Sequence, residues 1–157
     1  MRGAAIICLA LLGSTPVFAS DACSYVTNED VEHVTGRKLL FQLTSMPLSD
    51  GAGTLCDSNI VRVIVLSGEN SEQVWEKMIK DVGREAEERS PVSSLGEHAY
   101  VLHLAPRNER EYPTALVVVT SGTNTAAISV RAKEGQSAES AQSAAVELAE
   151  IVISKLN

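Results

Sequence analysis

Aromatic side chains are scarce in this chain of 157 residues: one Trp, three Tyr and two Phe make up 4% of it. Surfaces on which bases or sugar rings stack need several such rings together, so single-stranded nucleic acid and carbohydrate shelves are disfavoured. Positive charge is also short. Thirteen Lys and Arg stand against twenty Asp and Glu, a net charge of −7. Phosphate contacts need a basic face, so neither nucleic acid nor an anionic membrane is expected as the main partner. No apolar run reaches the roughly 20 residues of a spanning helix. The three histidines, His33, His98 and His103, form no His-x-His or His-x-x-x-His pair, and no Cys-x-x-Cys occurs, so a zinc site has no support. His98 and His103 are five apart in one expected strand and point to opposite faces. No Gly-x-Ser-x-Gly elbow is present, so the serines read as turn and surface residues. Gly51-Ala52-Gly53 lacks the Lys and following helix of a phosphate loop. Asp50 and Asp57 lack calcium-loop spacing. No catalytic residue, metal or cofactor is expected, and an enzyme would have to assemble its site from scattered residues.

What is present is the composition of a folded chain. Hydrophobic residues make up 45% and charged residues 21%, and the length suits one domain. The first nineteen residues read as a secretory signal peptide: Arg2, then an unbroken apolar run Ala4–Leu12, then the breakers Gly13, Ser14 and Pro16, then Val17-Phe18-Ala19 before Ser20. That is the charged, apolar and small-residue order of a cleavable leader, with the cut expected near Ala19/Ser20. The expected domains are therefore a leader over 1–19 and one folded unit over 20–157. Cleavage removes Arg2 and Cys8, takes the charge from −7 to −8, and leaves Cys23 and Cys56. Two cysteines in an exported chain generally pair. The alternative, a metal ligand or reactive thiol, lacks a His or Cys at ligand spacing. The bridge would close a loop of about 33 residues, worth roughly 3.5–4 kcal/mol in the chain-entropy account.

Thr27-Asn28-Glu29-Asp30-Val31 reads as a helix start. Thr27 is the cap, Asp30 the box partner, Val26 and Val31 the staple, and Gly36 the left-handed stop. Arg37–Thr44 alternates loosely as a first strand, and Ser45–Gly53, with Pro47 and two glycines, reads as a loop. Asn59–Ser67 alternates as a strand, with Val61, Val63 and Val65 opposite Arg62, Ile64 and Leu66. Asn70, with Gln73 at the box position, opens a second helix on the stripe Val74, Met78, Val82, widened by Trp75 and Ile79, and Gly83 closes it. The charge-rich Arg84–Ser90 reads as solvated surface. His98–Leu104, Thr114–Thr120 and Thr125–Arg131 read as strands, with a hairpin turn at Ser121–Asn124. The last helix, Ser137–Lys155, carries the stripe Ala141, Ala145, Leu148, Val152. The expected fold class is α+β: an antiparallel sheet of about five strands, helices packed on one face, order α-β-β-α-β-β-β-α, and one disulfide.

Cys23-Ser24-Tyr25-Val26-Thr27-Asn28-Glu29-Asp30-Val31, with Gly36 closing the helix, resembles the Cys-Ser-x-Leu-Thr-x-x-Glu-Val opening of a family of exported bacterial domains of unknown function, many of them lipoproteins. The family also has a second Cys before its second strand, where Cys56 stands, and a Gly-Leu-Gly-Asp-x-Ala-Tyr box entering a strand. Here the box reads Ser94-Leu95-Gly96-Glu97-His98-Ala99-Tyr100, with Ser and Glu replacing Gly and Asp. The general shape is similar to ligand-sensing extracellular domains of bacterial receptor kinases. The resemblance covers most of 23–157, lends no catalytic residues, and implies binding or sensing rather than chemistry.

One surface has a recognition composition: Ala105–Pro113, a hairpin tip with prolines near both ends and Arg107, Glu109, Arg110, Glu111 and Tyr112 between them. The leading functional expectation is a non-enzymatic exported module, periplasmic or secreted, that binds an unidentified protein or a small envelope ligand. The second is an inhibitor or immunity protein whose negative charge steers it to a basic secreted enzyme. The sequence leaves the ligand and the oligomeric state open.

Overall fold

A computed structural model describes residues 21–49, 51–84 and 87–156; the expected leader and its cleavage site lie outside them. Helix α1, Asn28–Thr35, starts as its sequence predicts. The Thr27 hydroxyl accepts the Asp30 N–H at 3.1 Å, and the Asp30 carboxylate accepts the Thr27 N–H at 2.9 Å. Two otherwise orphaned donors are satisfied reciprocally, and Gly36 closes the helix in the left-handed region at φ 60°. Val26 and Val31 are both buried.

The strands are β1 Thr44–Pro47, β2 Gly53–Asp57, β3 Val61–Ser67, β4 Ser90–Pro91, β5 Ala99–Leu104, β6 Thr114–Ser121 and β7 Asn124–Arg131. They form one sheet in the order β1-β2-β3-β7-β6-β5-β4, with every neighbouring pair antiparallel. Helix α2 is Ser71–Asp81, between β3 and β4, and α3 is Gln142–Leu156, entered through a short 3-10 turn at Ala138–Ala141. Cys23 and Cys56 form a disulfide, with Cα atoms 5.0 Å apart, so the bridge clips the chain ahead of α1 onto β2.

The sheet corrects the sequence expectation in three ways. It has seven strands, not about five, and the order becomes α-β-β-β-α-β-β-β-β-α. The first strand is Thr44–Pro47, starting at the last residue of the expected Arg37–Thr44 strand and running into the expected loop, and all four of its residues are exposed. An edge strand with no buried side chain leaves no alternation to read, and Pro47 is tolerated because an edge strand need not donate on its outer side. Arg37–Leu43 is shaped instead by side-chain acceptors: Glu32 takes the Leu39 N–H at 3.0 Å, Asn59 the Leu40 N–H at 3.2 Å, and Asn28 the Leu43 N–H at 3.0 Å.

The third correction is the placement of helices, which lie on both faces. On the first face, Val61, Val63 and Val65 of β3 join Ala115, Val117 and Val119 of β6 and Ala126, Ile128 and Val130 of β7. They pack under Ala145, Leu148, Ala149 and Val152 of α3, all fully buried, together with Val31 of α1. On the second face Leu66, Leu102, Leu116 and Val118 would meet water unless covered. Each such side chain is worth about 1.5–3 kcal/mol when buried. Trp75 and Ile79 of α2 cover them. The buried stripe of α2 is Ser71, Trp75, Ile79 rather than Val74, Met78, Val82, and Val82 is exposed. Asn70 stands at the N-cap but makes no side-chain cap bond.

Candidate functional site

Helix α2 crosses the second face obliquely. At its start the Ser71 and Thr125 hydroxyls are 2.9 Å apart, where β7 begins. In its middle, Trp75 Nε1 donates to the Tyr100 hydroxyl at 2.9 Å. Beyond its end, Arg84 Nη2 donates to the Ala105 carbonyl at 3.0 Å, where β5 has finished. One helix of eleven residues therefore leaves two corners of the sheet bare, one on each side of it.

The larger corner is a hollow of about 480 Å³, within the roughly 300–1,000 Å³ usual for small-molecule sites. Ile64 and Leu116 form its sheet floor, and Met78, Ile79 and Val82 form its helix wall. Its rim carries Arg62, Arg84, Arg110 and Arg131, half of the eight arginines in an acidic chain. Strand periodicity places two of them. Arg62 shares a face with Ile64 and Leu66, and Arg131 with Ser129, in a register that sets Arg62 opposite Ser129 and Arg131 opposite Thr114.

The four arginines are not equivalent. Arg62 makes a two-pronged contact with Asp57, both N–O distances 3.2 Å. Arg84 is a clamp, only 12% exposed: Nη1 donates to Glu87 at 2.6 Å and Nη2 lies 3.8 Å from Glu111. The expectation of a solvated Arg84–Ser90 surface fails at this residue. Arg131 Nη1 donates only to a main-chain acceptor, the Asn59 carbonyl, at 3.1 Å. Among the described residues neither the Arg110 nor the Arg131 guanidinium pairs with a carboxylate.

The 105–113 loop forms the outer wall. Glu111 accepts the Arg107 N–H at 2.9 Å and the Asn108 side-chain N–H at 3.0 Å, and Asn108 Oδ1 accepts the Arg110 N–H at 2.9 Å. Arg107 Nη2 donates to the Gly83 carbonyl at 2.8 Å, tying the loop to the exit of α2. Of the residues singled out from the sequence, Arg110, Glu111 and Tyr112 line the hollow. Arg107 holds the loop in place, and Glu109 does not line the hollow. Sequence reasoning missed Arg62, Arg84 and Arg131. The available signal was an arginine on an apolar strand face at the strand's end, twice, on strands with apolar residues on both faces.

The smaller corner, about 320 Å³, includes Glu72, Glu76, Arg89, Glu97, His98 and Tyr100. Its arginine is paired within it. Arg89 donates twice to Glu76, at 2.8 and 2.7 Å, and its guanidinium carbon lies 4.7 Å from the Tyr100 ring centre. The Arg89 hydrogen bonds hold the Glu76 carboxyl below its usual range, and burial pushes the Tyr100 hydroxyl up. His103, on the other face, meets Gln142 at 2.7 Å.

Among the described residues no group of three or more His, Cys, Asp or Glu is placed to hold a metal, and no helix is long and apolar enough to cross a membrane. No protein-family model matches the chain, and no curated protein sequence does. Among solved structures, the chain is similar to a GTP-binding regulator from Thermotoga maritima at 12% identity, over 81% of this chain and 87% of that one, with a TM-score of 0.37. A likeness of that size carries no argument about function.

Proposed function

We propose that this protein is a non-enzymatic binding module of the cell envelope, exported by its leader, and that it captures a small ligand in the arginine-rimmed hollow beside α2. The observation that carries the reading is an apolar patch of sheet left bare by a short helix and walled by a loop that is hydrogen-bonded into place. Preformed apolar concavities with a few convergent polar groups are where small ligands bind. Export rests on the leader pattern and accords with the Cys23–Cys56 bridge, which persists in oxidising compartments. The resemblance to exported domains of unknown function supports the same reading.

The test uses a neutral apolar fluorophore, Nile red. Saturable binding to the oxidised protein is expected. Ser129→Trp, which fills the hollow from β7, should abolish it, and Glu97→Trp in the smaller corner should leave it intact. Absent binding, or binding indifferent to Ser129→Trp, overturns the reading.

The inhibitor reading keeps one observation: Leu40 and Phe41 are 76% and 71% exposed on one loop, an apolar pair suited to a protein partner. It requires a stoichiometric complex with a basic secreted enzyme that weakens at high salt and is lost in Phe41→Ser.

A further inference from the structure

We propose that the ligand of the hollow is a long-chain carboxylate, its head held by Arg110 and Arg131 and its chain laid along Ile64, Leu116 and Val82. This rests on the hollow being the binding site and adds the chemical class of what enters it. The floor and helix wall are mostly apolar, and the two hydroxyls among them, Ser129 and Thr114, already donate to the Arg62 and Tyr112 carbonyls, which suits methylenes and gives a polar body few partners. The rim is cationic although the chain as a whole is anionic, so the arginines are concentrated against the trend of the surface.

Charge count selects the head. The four rim arginines stand against three carboxylates in contact with them, Asp57, Glu87 and Glu111. Among the described residues that leaves one positive charge in excess, which a monoanion neutralises and a dianionic phosphate monoester would overshoot. Among the described residues the rim guanidiniums without a carboxylate are those of Arg110 and Arg131, and a guanidinium fork matches a carboxylate bidentately. Val82 and Tyr112, 55% and 50% exposed, are large apolar surfaces at the lip that a chain would cover. The smaller corner does not compete, because its Arg89 is already held twice by Glu76.

The experiment measures displacement of Nile red from the oxidised protein at pH 8 by laurate, myristate, palmitate, dodecanol and dodecyl phosphate, a dianionic monoester, each below its micelle concentration. Affinity should rise roughly fourfold per added methylene until the hollow is filled. Laurate should bind at least about tenfold tighter than dodecanol, and salt should narrow that gap. Arg110→Gln should weaken laurate about tenfold and leave dodecanol unchanged, with its melting temperature measured alongside. Arg131→Gln should do the same, and if loss of its bond to Asn59 unfolds the chain, Arg110→Gln decides. Equal affinity for laurate and dodecanol, laurate binding indifferent to Arg110→Gln, or tighter binding of dodecyl phosphate than of laurate overturns this inference. In each of those cases persistent Nile red binding leaves the hollow standing as a site. Loss of Nile red binding removes the underlying reading as well.

Discussion

The two faces of the sheet solve the same problem with different side chains. The first face is lined by Val, Ala and Ile and lies under α3, fifteen residues long with Ala145 and Ala149 pointing down. Small residues on both partners let helix and sheet approach closely, and close packing seals the face over the helix length. The second face has one helix of eleven residues, and its sheet residues are larger: Leu66, Leu102 and Leu116, with Trp75 and Ile79 above them. Bulky side chains fill the space under a short helix but cannot cover the corners beside it. The closed face is sealed along its helix, and the open face keeps bare corners.

Truncations of the same chemistry on the two faces sharpen that contrast. Leu148→Ala on α3 opens a fully buried site among Val and Ala neighbours, and its expected cost is about 3 kcal/mol. Leu104→Ala removes the same atoms from the half-buried margin of the second face. There water enters the space, and the expected cost is about 1 kcal/mol. Urea unfolding followed by Trp75 emission measures both. Equal losses would mean that the second face is as tightly closed as the first, and the hollow would not exist in solution.

Legibility in the sequence followed the same division. Cap, staple and stop of α1 were readable because each rests on contacts within a few residues. The faces of β3, β5 and β7 were readable because successive side chains alternate across a strand, which sorts residues by face even where both faces are covered. Strand β2 was missed because its start, Gly53, looks like a loop glycine. A Cβ there would run into the Val65 carbonyl and the Leu66 side chain, so the residue is glycine for close strand approach, a long-range fact that no local pattern carries. Two strands apolar on both sides implied cover on two faces, yet the helices were assigned to one. Of the site, the loop residues Arg110, Glu111 and Tyr112 were legible from composition. Arg62, Arg84 and Arg131 were not, because only the crossing angle of α2 decides which strand ends stay bare.

Acid distinguishes the faces most finely. On the first face Asp30 joins α1 to the end of α3, with its carboxylate 3.7 Å from Lys155 Nζ. Partial burial pushes its carboxyl up, but the Thr27 hydrogen bonds and Lys155 outweigh this and leave it below the ordinary value. On the second face Glu76 is lowered by the Arg89 hydrogen bonds. A carboxyl held lower in the folded state than in the unfolded one contributes stability that is complete above the unfolded value, near 4.5 for Glu76, and is lost as pH falls through the folded value. The Arg89 and Glu76 side chains are 36% and 44% exposed, so solvent screening keeps the contribution of the pair below about 1 kcal/mol. Glu76→Gln should therefore cost about 0.5 kcal/mol at pH 7, and the gap from the unaltered protein should narrow as the pH falls below the unfolded value. Asp30→Asn should behave in the same way for stability. Only Glu76→Gln should also shift Trp75 emission in the folded protein, because Trp75 donates to Tyr100, whose hydroxyl lies 3.4 Å from Glu76. A Trp75 shift from Asp30→Asn would mean that the faces are coupled through the sheet and do not respond to acid separately.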